Sequence, residues 1–282
     1  MIVATLYGGL GNQMFIYAMS RALALRSGED LILNCSSGFK YDYRFHRQYA
    51  LNDFSIKYQT DKLLSFDFVG GRLIRKISEK MGRHLFFPEY KLLNEVSGNR
   101  YFENKWIEEK QHKIIINGYW HSEKYFKDFE NQIRKDFIFS NFFSKDITQQ
   151  ADTIRNTKGI PIALGIRLYQ ECEKVTIPIT EKEYYSRAMQ IIIEKVPDAV
   201  FYIFTQVPEW AKENLDRKYK IEIMPENAAI DDLYLMTLCK HHIISNSSFY
   251  WWGAWLADKS GIKIAPSKAM NQDFIPETWI KL

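Results

Sequence analysis

Ile2-Val3-Ala4-Thr5-Leu6-Tyr7-Gly8-Gly9-Leu10-Gly11-Asn12-Gln13-Met14-Phe15 is the stretch whose reading decides the fold class. Residues 2 to 7 are a short apolar run of the kind that forms a buried strand, and a glycine-rich turn follows directly. A helix is predicted from about Asn12 to Arg26, because Phe15, Ala18, Met19, Ala22 and Leu25 recur at helical spacing. Gly28 stands where a helix stops. Leu31-Ile32-Leu33 reads as a second strand. The chain therefore opens β-α-β, the unit of a parallel sheet.

A strand, a glycine turn and a helix N-terminus make a main-chain anion site, since the first helical N–H groups point at whatever binds there. Two common versions fail on the residues. No Gly-Lys-Ser/Thr follows, so this is not a phosphate-binding loop of the nucleoside-triphosphatase kind. The dinucleotide pattern needs a third glycine where Met14 stands, and an acid after the second strand where Asn34 and Cys35 stand. A tight turn accounts for Gly8 and Gly11. It does not account for two amides, Asn12 and Gln13, at the mouth of a helix, and these are candidate ligand contacts.

Further along, Lys113 to Asn117 reads as a strand and 122–137 as a helix. The stretch 140–158 is polar with no strand signal and takes the domain boundary, dividing the chain into 1–150 and 151–282. Strands are predicted at 161–167, 199–205, 220–223, 241–245 and 262–265, and helices at 181–195, 208–217, 230–239 and 248–258. That alternation implies a second parallel sheet. Within it, Ser245-Asn246-Ser247-Ser248 precedes a helix rich in indoles. Serines suit an N-cap, and their hydroxyls together with the helix N–H groups suit a diphosphate. Trp251, Trp252 and Trp255 are read as core, and Gly253 as a close-packing position. Adjacent His241 and His242 point to opposite faces of a strand and cannot share a metal. Asp231 and Asp232 open the preceding helix, where the dipole favours acids; one of them could instead bond a ribose hydroxyl or a guanine edge.

The bulk properties narrow the class. The 282 residues are enough for two domains of ordinary size. The net charge of +4 comes without a dense Lys/Arg stripe, which argues against a nucleic-acid protein. Three cysteines, Cys35, Cys172 and Cys239, show neither metal spacing nor a disulfide framework, and point to a reducing cytoplasm. No signal peptide or membrane span is read, which fits a bacterial-type cytoplasmic protein. The segment Arg72 to His84, with Leu73, Ile77 and Met81 spaced by four among basic residues, reads as a solvated helix face over a core; contact with an anionic membrane surface is the second reading.

Gly8-Gly9-Leu10-Gly11-Asn12-Gln13-Met14-Phe15, Gly118-Tyr119-Trp120-His121-Ser122-Glu123-Lys124-Tyr125-Phe126, Asp231-Asp232-Leu233-Tyr234-Leu235-Met236, and Ser245-Asn246-Ser247-Ser248-Phe249 with Trp251-Trp252-Gly253-Ala254-Trp255-Leu256 together resemble the bacterial α-1,2-fucosyltransferase family. The resemblance implies an α/β, GT-B-like fold of two Rossmann-type domains with a ligand cleft between them. It implies that the C-terminal half holds GDP-fucose and the N-terminal half faces a glycan acceptor, typically a terminal galactoside accepting at its 2-hydroxyl. It also implies inversion at the anomeric carbon and no metal or other cofactor. The residues themselves give the expected donor-binding set Gly11, Asn12, Gln13, Arg167, Asp232, Asn246, Ser247 and Ser248. Arg167 is the expected stabiliser of the leaving diphosphate, and Glu171, with Glu173 beside it, the expected general base.

Two departures stand out. The family's His-x-Arg-Arg-x-Asp motif aligns with Gly165-Ile166-Arg167-Leu168-Tyr169-Gln170, which keeps only the first arginine. An acidic pair usual after Phe204 is replaced by Thr205-Gln206-Val207. They leave open a different nucleotide-sugar donor or a non-catalytic sugar-nucleotide or glycan-binding module.

Overall fold

The computed structural model describes residues 1–40, 42–56, 58, 77–78, 80–83, 85, 88–95, 113–140, 143–169 and 177–282. The chain divides into two compact units, Met1–Ser140 with Asn271–Phe274, and Asn141–Met270 with Ile275–Leu282.

The first unit holds β1 (Ile2–Thr5), α1 (Leu10–Ser27), β2 (Leu31–Asn34), β3 (Lys91–Asn94), β4 (Ile114–Asn117) and α2 (Glu130–Asp136). Its sheet has the order β2-β1-β4-β3 and is parallel throughout. β1 and β2 are buried residue by residue, as unbroken apolar runs covered on both faces require. α1 starts two residues before the predicted Asn12 and ends at the predicted Gly28, whose φ of 68° gives a left-handed cap. The apolar stripe read from the sequence understates this helix: Met14, Ile16 and Tyr17 are buried too, so it is covered nearly all round. The helix expected over 122–137 is instead two 3₁₀ turns, Glu123–Tyr125 and Lys127–Phe129, followed by α2. Ser122 accepts from the Lys124 amide and begins the first turn. β3 carried no strand signal in the sequence.

The second unit holds α3 (Lys145–Arg155), β5 (Ile160–Ile166), α4 (Lys182–Lys195), β6 (Ala199–Thr205), α5 (Pro208–Asn214), β7 (Lys220–Ile223), α6 (Ala229–Thr237), β8 (His241–Ile243), α7 (Ser248–Leu256), β9 (Lys263–Ala265) and β10 (Ile280–Lys281). α3 falls in the polar stretch 140–158 that reads as the domain boundary, where no helix is expected. Ser144 caps it, and Ile147, Ala151 and Ile154 form its buried face at i, i+4 and i+7. The six strands run parallel in the order β10-β9-β8-β5-β6-β7. Inward residues of β5 and β6 (Ile162, Leu164, Ile166, Phe201, Ile203) pack with Tyr185, Ala188, Met189 and Ile192 of α4. Full burial of side chains of this size stabilises by about 1.5–3 kcal/mol each.

The indoles of Trp251, Trp252 and Trp255 are buried as predicted, and Gly253 lies against Met236. The two histidines are structural. His241 Nδ1 accepts from the Ile262 amide at 2.7 Å, and His242 Nε2 meets the Met236 carbonyl at 2.9 Å. Burial pushes His242 down to about 3, so it stays neutral. Among the described residues no helix is long and apolar enough to cross a membrane, and no group of three or more His, Cys, Asp or Glu is placed to hold a metal ion. Of the basic segment, Ile77 and Met81 are exposed; Leu73 and most of its charges lie outside the described residues.

Candidate active site

Strand order places the C-terminal site. The chain leaves β5 toward β6 and β7 on one side and leaves β8 toward β9 and β10 on the other, while β5 and β8 are neighbours in register at Ile162–His241 and Leu164–Ile243. Open parallel sheets bind ligands outside the carboxyl ends of strands at such a reversal. Arg167 follows β5, and Ser245 to Ser248 follow β8 into α7.

Tyrosines join the two loops. The Tyr169 hydroxyl donates to the Asn246 carbonyl, and its ring lies under the Arg167 guanidinium at 5.1 Å. Tyr250, in the first turn of α7, donates its hydroxyl to the Ile166 carbonyl at 3.2 Å. The Tyr184 hydroxyl donates to the carbonyls of Ile244 at 2.6 Å and Ile264 at 3.1 Å, tying β8 to β9. None of the three was given a role from the sequence. Their signal was only the density of tyrosines around 169, 184 and 250, which does not say where hydroxyls point.

The residues expected at the donor divide into two kinds. Ser247 occupies the N-cap position of α7 with extended backbone, yet its side chain makes no capping bond. Capping therefore does not explain it, although the residue is buried at the start of the helix. Ser248 opens the helix and is half-buried. Asn246 differs from expectation: its side chain is buried, and Nδ2 donates to the carbonyls of Pro178 at 2.9 Å and Lys268 at 2.6 Å. It shapes the turn from behind.

Asp232 lies in the first turn of α6 and accepts from Asn227 Nδ2 at 2.9 Å, while Asn227 and Gln150 exchange amide bonds at 3.2 and 3.0 Å. Burial first, then the Asn227 bond acting the other way and the charges of Asp231 and Glu226, bring its carboxyl up to about 6. Asp232 and Arg167 both act electrostatically on buried Tyr250, which places the three in one neighbourhood. Glu171 and Glu173 lie outside the described residues, as does Cys172.

In the N-terminal unit, Gly11 lies inside the first turn of α1, and the Gly9 carbonyl receives the amides of Asn12 at 3.0 Å and Gln13 at 3.1 Å. The two amides expected to act together are separated by the fold. The Gln13 side chain is buried and committed at both ends: Nε2 donates to the carbonyls of Gly8 and Gln48 at 2.9 Å each, and Oε1 accepts from Ala50 N at 2.9 Å. It staples the 48–50 segment to the glycine turn, a structural task where a ligand contact was expected. Asn12 is half-buried, with Oδ1 at 3.0 Å from His121 Nε2. Tyr119 stacks on His121, ring centroids 5.1 Å apart and 5° from parallel, and Tyr7 lies 4.8 Å from Tyr119. Tyr7, Asn12 and Tyr119, all partly exposed, thus form one surface at the carboxyl end of the β1–β4 pair, with His121 buried directly behind it.

Two parallel α/β sheets, the second with Arg167 and a serine-lined helix start at its reversal point, give the GT-B-like architecture. The chain belongs to glycosyl transferase family 11, whose profile matches residues 88–281. It is 28% identical to an alpha-1,2-colitosyltransferase of Escherichia coli over 305 aligned positions, covering 100% of this chain and 98% of the relative. It is 25% identical to the O-antigen biosynthesis glycosyltransferase WbnK of Escherichia coli, over 98% of this chain and 99% of the other. Among solved structures, the R284K mutant of Arabidopsis thaliana FUT1 in complex with GDP superposes with a TM-score of 0.58 at 11% identity, covering 98% of this chain and 72% of that one. The protein is a fucosyltransferase-like glycosyltransferase.

Proposed function

We propose that the protein transfers fucose from GDP-fucose to a hydroxyl of a surface glycan, the 2-hydroxyl of a terminal galactoside, with inversion and without a metal. The observation that carries this is the convergence of Arg167, Ser247, Ser248 and the start of α7 at the β5–β8 reversal. The C1–O bond of the donor breaks with its electron pair passing to the β-phosphate, and preorganised donors there lower the barrier. The Arg167 guanidinium is permanently charged and grips phosphate oxygens in a bidentate way. The acceptor oxygen attacks C1 from the opposite face and gives its proton to a carboxylate, for which Glu171 or Glu173 is proposed.

A second reading has its own support. One of the two relatives matched over their full length is a colitosyltransferase, and colitose is fucose without its 3-hydroxyl, so GDP-colitose is the alternative donor.

Calorimetry with GDP, GDP-fucose, GDP-colitose, GDP-mannose and UDP-galactose, each with and without EDTA, tests both. Selective binding of GDP and GDP-fucose, indifferent to EDTA, is the expected result. Preference for GDP-colitose moves the donor, and binding of no guanine nucleotide removes the proposal.

Asp232 gives that titration a pH dependence. A guanine edge or ribose hydroxyl donates hydrogen bonds and needs the carboxylate, whereas the unliganded protein holds the proton up to about pH 6. GDP affinity is expected to fall roughly tenfold per unit below that point, and Asp232→Asn to flatten the profile. Fold stability runs the other way. A carboxyl raised from 3.8 in the unfolded chain to about 6 in the fold loses stability as pH rises through that window. An acid-side loss of affinity therefore cannot be ascribed to unfolding through this group. A flat wild-type profile would remove Asp232 from the nucleotide site.

A further inference from the structure

β3 and β4 lie in register up to Asn94 and Asn117, whose side chains bond at 2.9 Å. The next residues on the two strands, Glu95 and Gly118, meet so closely that a Cβ at Gly118 would fall 2.3 Å from Glu95 Cβ; the φ of Gly118 is 147°. The Glu95 carboxylate then takes two successive main-chain amides, Tyr119 N on Oε2 at 2.7 Å and Trp120 N on Oε1 at 3.2 Å. Trp120 is fully buried, edge-on to Tyr125, and has a φ of 58°. A bulky residue stays in that left-handed region only where its surroundings hold it there. The turn so formed stacks Tyr119 on His121 and brings His121 to Asn12.

We propose that Glu95 is a positioning residue: by clamping the amides of Tyr119 and Trp120 it fixes the Tyr7–Tyr119–Asn12 surface with His121 behind it, and that surface receives the sugar acceptor. The clamp needs a carboxylate. Both oxygens accept and the negative charge strengthens both bonds, whereas the amide of a glutamine would set its own N–H₂ against one of the main-chain donors. Aromatic faces beside an amide suit a pyranose ring, which offers C–H groups on its faces and hydroxyls at its edge. The acceptor part of this inference rests on the transferase reading above.

The test separates the two parts. With Asn12 Oδ1 accepting, His121 carries its proton on Nε2, so the wild type is expected to show one imidazole tautomer in nitrogen NMR and slow exchange of the Tyr119 and Trp120 amides. In Glu95→Gln the tautomers average and those amides exchange faster. With p-nitrophenyl β-galactoside and GDP-fucose as probes, the acceptor KM rises roughly tenfold while kcat and the donor KM stay within about twofold. An unchanged His121 spectrum with unchanged amide exchange overturns the positioning role, and it does so even where the probe galactoside is not turned over. An unchanged acceptor KM in Asn12→Ala and His121→Ala overturns the acceptor assignment and leaves the clamp standing.

Discussion

Arg167→Ala lowers turnover of the nucleotide sugar by about 10² to 10³-fold, the usual effect of removing one preorganised donor from a developing oxyanion, and leaves the thermal midpoint nearly unchanged. Arg167 sits past the end of β5, half-buried, where the donor diphosphate is proposed to bind. The loops around it are held by other groups: Tyr169 on the Asn246 carbonyl, Tyr250 on that of Ile166, and Asn246 on those of Pro178 and Lys268. Truncating the arginine therefore removes charge without releasing the turn. Arg167→Lys keeps the charge and loses both the planar fork and the stacking on Tyr169, so its activity falls between wild type and alanine. Steady-state kinetics with a melting curve for each variant decides this. A turnover within about threefold of wild type in Arg167→Ala would move the phosphate-stabilising role to another residue.

The same stretch shows what a sequence does and does not make legible. Parallel sheets were readable because strands buried on both faces are written as unbroken apolar runs, as in Ile2–Thr5 and Ala199–Thr205. The turn at Ser247 was readable because serines at the end of an apolar run mark a helix start. The fate of individual polar side chains was not. Asn12 and Gln13 are neighbours of similar chemistry, yet the helix sends one amide toward His121 and the other into the 48–50 backbone. Which amide is consumed inside the fold depends on segments 35 to 109 residues away. Asn246 carries the same lesson, since its partners come from residues 178 and 268. The helix at 145–155 is a different kind of miss. Its cap and its i, i+4, i+7 face were present, and its polar exterior hid them.

Gly165→His, which installs the residue aligned in the family motif, is expected to lower the thermal midpoint by on the order of 5–10 °C. The reason lies across the sheet. A Cβ at position 165 would sit 2.4 Å from Tyr250 Cγ and Cδ1 and 2.8 Å from Cδ2. These atoms belong to a ring only 5% exposed and tethered through its hydroxyl to Ile166, so it cannot swing away. β5 cannot retreat either, because it is paired on both sides, Gly165 with Phe204 of β6 and Leu164 with Ile243 of β8. Even a methyl does not fit, and an imidazole would have to expel the phenol. Tyr250→Ala alone leaves a cavity and costs about 3–5 kcal/mol, as for other large aromatics. If the histidine and the tyrosine compete for one space, Gly165→His with Tyr250→Ala is less destabilised than the sum of the single changes, by about 1–3 kcal/mol of coupling. That result would make the altered motif an exchange, in which the chain filled the histidine's place with a ring that braces the Arg167 loop, and would weigh against a decayed binding module. Simple additivity in the double-mutant cycle would mean the two side chains do not share a space, and Gly165 would then record a lost contact to the donor.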